Sequence, residues 1–358
     1  ATQASTSSTD PAAPSRQMSA TEPIFHSVSH RNNMNVVRYY LSFCVLLAHF
    51  SSLTGNYIPW LQRGTVDVGC FFAISGFLMF PSFQKRPTLR GYLKRRARRI
   101  LPPYVLIIVL AALGFVFVST LPAAGYFTDS GFWKYLAANL SFLNFLHPDL
   151  PGVFEGERFA TNVVNGALWT MKGEWVCYLS VPVVYWIIRR RPRVAGPLLI
   201  ALAATWIIVR LAFINLYAST GNELYDIIAR QFGTLLVFFY IGAIINRYFP
   251  QFQRYKWWIL GADALILIFS DHIPLYYLVF QPLVAGSLVL WFSMIGSWGA
   301  HLSKHDSVSY DIYLFHFPVI QLAVWFGLPA MMSPLGSLAV VVAVTVGLAF
   351  ASVSYTHL

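Results

Sequence analysis

The sequence predicts an all-α, polytopic membrane protein with about ten transmembrane helices. Two observations point to it and a third excludes the main alternative. The 358-residue chain is 57% hydrophobic and 11% charged with a mean hydropathy of +0.58, whereas soluble domains carry about a quarter charged residues. Its apolar runs are of bilayer length and are broken by short polar or basic stretches. The strand-like alternation of an outer-membrane barrel is absent from the pattern.

Residues 1–30 are rich in Ser, Thr, Ala and Pro and lack an apolar core, so a disordered tail is expected there. Residues 31–358 then form the transmembrane domain. No basic start, short apolar run and small-residue cleavage site appears, so the first span is expected to do the targeting. The chain begins without Met and stops inside its last predicted helix, as a fragment would. Predicted spans cover 36–54, 65–83, 100–121, 166–188, 196–217, 226–248, 257–272, 275–296, 308–328 and 335–356. The span at 257–272 is short for a bilayer, and the one at 226–248 begins with an acid and a base.

The net charge of +11 would suggest nucleic acid in a soluble protein, but here it marks topology and no nucleic-acid partner is expected. Lys85, Arg86, Arg90, Lys94, Arg95, Arg96, Arg98 and Arg99 fall between spans two and three. Arg189, Arg190, Arg191 and Arg193 follow span four, Arg247, Arg254 and Lys256 follow span six, and Lys304 follows span eight. All these loops share one side, and the positive-inside rule makes it cytoplasmic, with both termini. The opposite loops hold Arg63, Lys134 and Arg158. The longest of them, 122–165, carries His147-Pro-Asp149 and Glu155-Gly-Glu157, and reads either as an acceptor-docking loop or as a connector packed over the bundle. Cys44, Cys70 and Cys177 sit in apolar runs without metal-ligand spacing; they are expected to be ordinary buried thiols, and no metal site is expected.

The first span carries an arginine at one end and a histidine at the other. Between Arg38 and His49 lie about three helical turns, so the two share a face roughly 16 Å apart along the axis. Ionisable groups in a bilayer-length segment face a wet or polar interior, which makes both functional candidates. For Arg38 alone, snorkelling at the interface is the competing reading.

Rise per residue then sets expected depths. His49, Asp67 at the start of span two and Glu174, roughly 10 Å from the outer end of span four, are expected to share one outer layer. The opposite layer is basic, formed by Arg38 and the run Lys94-Arg-Arg-Ala-Arg-Arg99, and His316 of span nine lies between. This arrangement suits transfer of a group from a polyanionic cytoplasmic donor to an outer acceptor, with His49 as general base or nucleophile and an acid orienting it. Glu174 and Asp67 could instead bond neighbouring helices; His316 could line the channel or sit beside the break made by Pro318. Ser75-Gly76 reads as a close-packing device.

Five patterns in order carry a resemblance. Arg38-(ten residues)-His49, Phe71-Phe-x-x-Ser-Gly-Phe-Leu78, Arg96-x-x-Arg-Ile-x-Pro102, Leu168-Trp-x-x-x-x-Glu174 and Ser309-Tyr-x-x-Tyr-Leu-x-His-x-Pro318 together resemble the membrane-bound acyltransferase-3 family, over nearly all of the chain after residue 33. The resemblance implies an integral-membrane O-acyltransferase, usually moving acetyl from acetyl-CoA to glycans, in a bacterial inner membrane. By position, Arg38 and His49 match the essential pair, Arg96 and Arg99 the double arginine, and Glu174 the acid of the Trp-containing motif. Arg95 and Arg98 show the same spacing. Arginines suit the phosphates of CoA.

Two departures stand out. Extra small residues before Phe71 shift the register of Asp67, and the last span ends Ser354-Tyr-Thr-His-Leu358 where relatives continue with Glu and Pro. The expected catalytic residues are thus His49, Glu174 and Asp67, and the expected substrate-binding residues Arg38, Arg96, Arg99, His316, Trp169 and Tyr310. The partners are acyl-CoA as donor, a cell-surface or lipid-linked glycan as acceptor, and membrane lipid; no tightly bound cofactor is expected. A proton-coupled transporter using the same His and acid residues is the alternative from another class, although no internal repeat supports it.

Overall fold

The structure, a computed structural model, describes residues 23–29, 32–56, 64–297, 299 and 308–356. Most of the expected tail over 1–30, the loop residues Arg63 and Lys304, and the last two residues lie outside these. Among the described residues every regular element is helical. In chain order they are α1 (Met34–Leu53), α2 (Gly64–Lys85), α3 (Leu89–Gly114), α4 (Ala123–Thr128), α5 (Ser130–Leu140), α6 (Met171–Arg190), α7 (Ala195–Thr220), α8 (Glu223–Ile228), α9 (Leu235–Arg247), α10 (Phe249–Ile268), α11 (Gln281–Met294), α12 (Val308–Trp325), α13 (Leu328–Met331) and α14 (Pro334–Thr356). A 3-10 turn, Gly166–Thr170, leads into α6, and π-turns at Ala229–Thr234 and Tyr276–Phe280 lead into α9 and α11.

Among the described residues, seven helical stretches are long and apolar enough to cross a membrane. They coincide with seven of the predicted spans. The other three predicted spans correspond to α6, α10 and α12, which carry more polar residues. For α12 the reason is burial in protein: Asp311, His316 and Gln321 are all at most 1% exposed, and most of the helix faces its neighbours. A helix surrounded by protein need not be as apolar as one facing lipid.

Side chains define two ends of the bundle. Phe25 stacks on Phe80, Phe83 meets Tyr92 and Tyr185, and His26 meets Asn246 and Phe249, so the basic stretches around Lys85, Lys94, Arg189 and Arg247 gather at one end, called here the basic end. At the other end the 122–165 segment packs down over the bundle. Tyr104 and Tyr126 donate their hydroxyls to the carbonyls of Asn139 and Ala112, at 2.6 and 2.8 Å, and Val153 and Phe154 are buried. The connector reading therefore describes its packing.

Two glycines hold the centre together. A Cβ at Gly76 of α2 would stand 1.8 Å from the Phe239 carbonyl oxygen of α9, and one at Gly242 would stand 1.9 Å from that of Ala73. The two backbones touch reciprocally, the small-residue packing that drives helix association where no hydrophobic effect operates. Ser42 Oγ donates to the Ser309 carbonyl at 2.7 Å and ties α1 to α12. Gly76→Val is expected to abolish monodisperse protein on size exclusion in detergent, whereas Gly261→Ala on α10, where a Cβ meets nothing within 4 Å, leaves the elution profile unchanged.

Candidate functional site

Pro318 lacks an amide hydrogen, so the carbonyl four residues earlier, that of Leu314, loses its helical partner. Asn165 replaces it: its Nδ2 donates to Leu314 O at 2.9 Å while its Oδ1 accepts from Ala167 N at 3.1 Å. The chain before α6 is thereby drawn to the middle of α12. Tyr313, one turn before His316, reinforces the junction; its hydroxyl bonds the Ala167 carbonyl at 3.0 Å and Thr170 Oγ1 at 3.1 Å. Gly166 completes the fit, because a Cβ there would lie 2.5 Å from the Phe317 ring.

This descent moves Glu174. The depth estimate assumed that span four starts at the membrane edge, but α6 starts inside the bundle, and Glu174 belongs to a cavity with the arginines and not to a layer with His49. The cavity, about 90 Å3, is lined by Arg38, Arg96, Arg99, Glu174, Tyr310 and Tyr313 among others. Glu174 accepts a hydrogen bond from Tyr178 one turn along, and its carboxylate stands in electrostatic reach of Arg99, Arg96 and Arg38. Arg96 lies between the rings of Tyr92 and Tyr178, with centroids at 5.7 and 5.9 Å, and its Nη2 approaches Ser82 Oγ at 3.4 Å. Its buried Nε has no hydrogen-bond partner. Three guanidinium groups around one carboxylate leave the cavity cationic. The spacing left Arg95 and Arg98 as alternatives; both are exposed, and neither lines the cavity.

His49 lies beyond this cavity. Its Nδ1 is 2.7 Å from His316 Nε2, with the rings stacked at a centroid distance of 5.0 Å and the edge of Phe317 against His49. His316 Nδ1 lies 3.3 Å from the Ile312 carbonyl, which can only accept. That contact places the His316 proton on Nδ1, makes Nε2 the acceptor, and requires His49 to donate from Nδ1. The lone pair of His49 is then on Nε2. Tyr313 links the two regions, since it lines the cavity and its ring centre is 5.9 Å from that of His316.

The remaining candidates scatter. Asp67, in the first turn of α2, is in electrostatic range of Tyr40, Cys44 and Cys70. Trp169 packs against the core in the 3-10 turn without lining the cavity. Tyr310 lines it, its hydroxyl 3.5 Å from the Ile100 carbonyl. Arg38 Nη1 contacts Asn35 at 3.3 Å. Cys70 and Cys177 are buried and Cys44 is partly exposed, all as free thiols. Tyr313, a fixed letter of the Ser309 to Pro318 pattern, does line the cavity, whereas Asn165, Thr170 and Asp311 were not among the expected site residues; Asp311 is 1% exposed and interacts with Ser352 and Arg99. An acid inside an apolar run was the signal for Asp311; Asn165 carried none.

The chain is thus a polytopic helical membrane protein in which one tyrosine, Tyr313, separates a cationic cavity from a hydrogen-bonded histidine pair. The sequence profile of the acyltransferase-3 family, described as an acyltransferase domain, matches residues 31–354. The chain belongs to that family of membrane-bound O-acyltransferases. It is 25% identical over 338 residues to nodulation protein 10 of Rhizobium leguminosarum bv. viciae, covering 84% of this chain and 86% of the relative. It is 26% identical over 155 residues to an O-acetyl transferase of Shigella phage Sf6, covering 42% and 45%. No solved structure matches. The transporter alternative therefore falls away.

Replacing Asn165 by Ala leaves the Leu314 carbonyl buried and unpaired, at a cost of about 1–3 kcal/mol. The thermal midpoint in detergent, followed by tryptophan fluorescence, is expected to fall by roughly 2–6 °C, and Asn165→Asp, which keeps the acceptor but loses the donor, is expected to fall at least as far.

Proposed function

We propose that this enzyme moves an acetyl group from acetyl-CoA, bound at the basic end, to a hydroxyl of a cell-surface or lipid-linked glycan, with His49 as general base. The observation that carries the reading is the His316–His49 hydrogen bond, which leaves the Nε2 lone pair of His49 as the proton acceptor. In a bacterial inner membrane the basic end would face the cytoplasm, where acyl-CoA is made. The O-acetyl transferase among the relatives supports acetyl as the group moved.

The steps balance without a further reactant. His49 Nε2 takes the acceptor hydroxyl proton as its oxygen attacks the thioester carbonyl. The C–S bond then breaks, and the CoA thiolate recovers the proton from the imidazolium. His316 orients the His49 ring and spreads the transient positive charge, the role that a second group plays behind many catalytic histidines. Arg38, Arg96 and Arg99 bind donor phosphates through charge-assisted hydrogen bonds. Glu174 holds the arginines apart and in place, and Tyr310 and Tyr313 flank the pantetheine arm. The narrowness of the cavity suits such an arm, while the nucleotide stays at the mouth.

With radiolabelled acetyl-CoA and a crude glycan fraction, His49→Ala is expected to lower glycan-dependent CoA release by at least about 100-fold while donor binding stays within about twofold. Label on the wild-type protein in the absence of glycan would instead indicate an acyl-enzyme. Arg96→Ala and Arg99→Ala are each expected to weaken donor binding about tenfold, with Arg95→Ala and Arg98→Ala near wild type. Raising salt from 50 to 500 mM is expected to weaken wild-type binding more than that of either cavity variant.

A further inference from the structure

Two arginines outside this site share a second cavity. Arg210 of α7 and Arg230 of the first π-turn both lie in stretches apolar enough to cross a membrane, 192–220 and 223–247. Together with Thr65, Asp226, Tyr277 and Gln281 they line a cavity of about 290 Å3. It opens at the end away from the basic one: Thr65, Asp226 and Tyr277 each stand near the start of spans that run toward Lys85, Arg247 and Met294. Helix α2 separates it from the arginine cavity, since Val68, Phe71 and Ser75 face one and Thr65 and Val66 the other.

The backbone is shaped to put a guanidinium there. Both π-turns among the described residues border the cavity, and such turns recur at functional sites. Gly233 in the first lets α7 approach, because a Cβ there would stand 2.6 Å from that of Arg210. Arg210 Nη1 donates to the Tyr277 carbonyl in the second at 2.9 Å. The charges do not cancel. Asp226 Oδ2 pairs with Arg230 Nε at 2.9 Å, while the group that fixes Arg210 is a neutral carbonyl. One positive charge, with the rest of its donor fork available, therefore faces a cavity at a membrane edge. Beside it runs an apolar, outward-facing flank of α7: Ile208, Leu211 and Ile214 are 66%, 37% and 40% exposed, and Ile214 also lines the cavity.

We propose that this cavity binds the phosphate ester of a membrane-resident lipid, with Arg210 as the principal ligand and the hydrocarbon tail lying along α7. A guanidinium fork matches phosphate geometry, and Tyr277, whose carbonyl holds Arg210, stands at the first turn of a span of bilayer length, where headgroup phosphates are expected. The shared chemistry could come from a bilayer phospholipid or from the phosphate of a polyprenyl carrier. The inference goes beyond acyl transfer and does not depend on it.

The test is native mass spectrometry of the full chain in detergent, titrated separately with phosphatidylglycerol, a polyprenyl monophosphate and diacylglycerol. The wild type is expected to retain one copy of each phosphate lipid and no diacylglycerol. Arg210→Gln weakens retention about tenfold, Arg210→Lys falls between, and Arg254→Gln at the basic end stays within about twofold of wild type. Asp226→Asn, which frees Arg230, tightens retention about fivefold. This gain keeps the test decisive if Arg210→Gln does not fold. Tighter binding of the polyprenyl phosphate than of phosphatidylglycerol identifies a carrier site, and the reverse a phospholipid site. Equal binding by wild type, Arg210→Gln and Asp226→Asn, or retention of diacylglycerol as strong as that of the phosphate lipids, overturns the proposal.

Discussion

Within a bilayer no water is available to satisfy a freed backbone group, and the architecture of this enzyme turns on how one such group, the Leu314 carbonyl, is satisfied. Pro318 creates the vacancy and Asn165 fills it. Because Asn165 stands just before the 3-10 turn, this single bond pulls the end of the long 122–165 connector into the bundle. It also starts α6 at mid-depth. Tyr313 and Gly166 then lock the turn to α12. Everything near the cavity, from Thr170 to Glu174, is positioned by that junction, and so is the orientation of α12 that brings His316 to His49.

The same junction divides the polar interior. On one side are three arginines and Glu174; on the other are two stacked imidazoles; Tyr313 lies between. Its hydroxyl is held by Thr170 and Ala167, so its ring cannot swing away unless those bonds break. In the reaction proposed above, a partition of this kind would separate a region that meets a charged donor from one kept dry enough for a thioester to be attacked by a sugar hydroxyl and not by water.

Much of the fold was legible because length and hydropathy are local properties. The spans from α1 to α3, and those ending in α9, α11 and α14, follow from runs of Val, Leu, Ile and Phe interrupted by arginine. Helix α12 was equally visible, although its polar content disguises the fact that it is central. Depth was not legible for Glu174, since counting residues from a presumed edge ignores a chain that folds back into the bundle before its helix begins. Pairing across 267 residues, as between His49 and His316, leaves no trace in spacing. Nor could the run Arg95-Arg96-Ala97-Arg98-Arg99 say which arginines turn inward; only the packing of Tyr92 and Tyr178 around Arg96 decides that. Asn165 is an ordinary residue whose importance arises from what Pro318 lacks.

That a histidine and not a carboxylate lies behind His49 follows from the expense of charge in this setting. A carboxylate beside His49 would have to be desolvated, and its pairing would repay that cost only with several further hydrogen bonds. Two imidazoles in the tautomers set by the Ile312 carbonyl bury no net charge between turnovers. In the proposed reaction a positive charge would arise there only while a proton is in transit. The one acid of the motif, Glu174, instead lies where Arg38, Arg96 and Arg99 can compensate it, and where it in turn limits their mutual repulsion when no donor is bound. Ionised groups are thus collected in the arginine cavity, where the proposed donor would enter, and neutral polar groups at the histidine pair, where the proposed transfer would occur. This division needs no acid near the base, only a second ring to aim it.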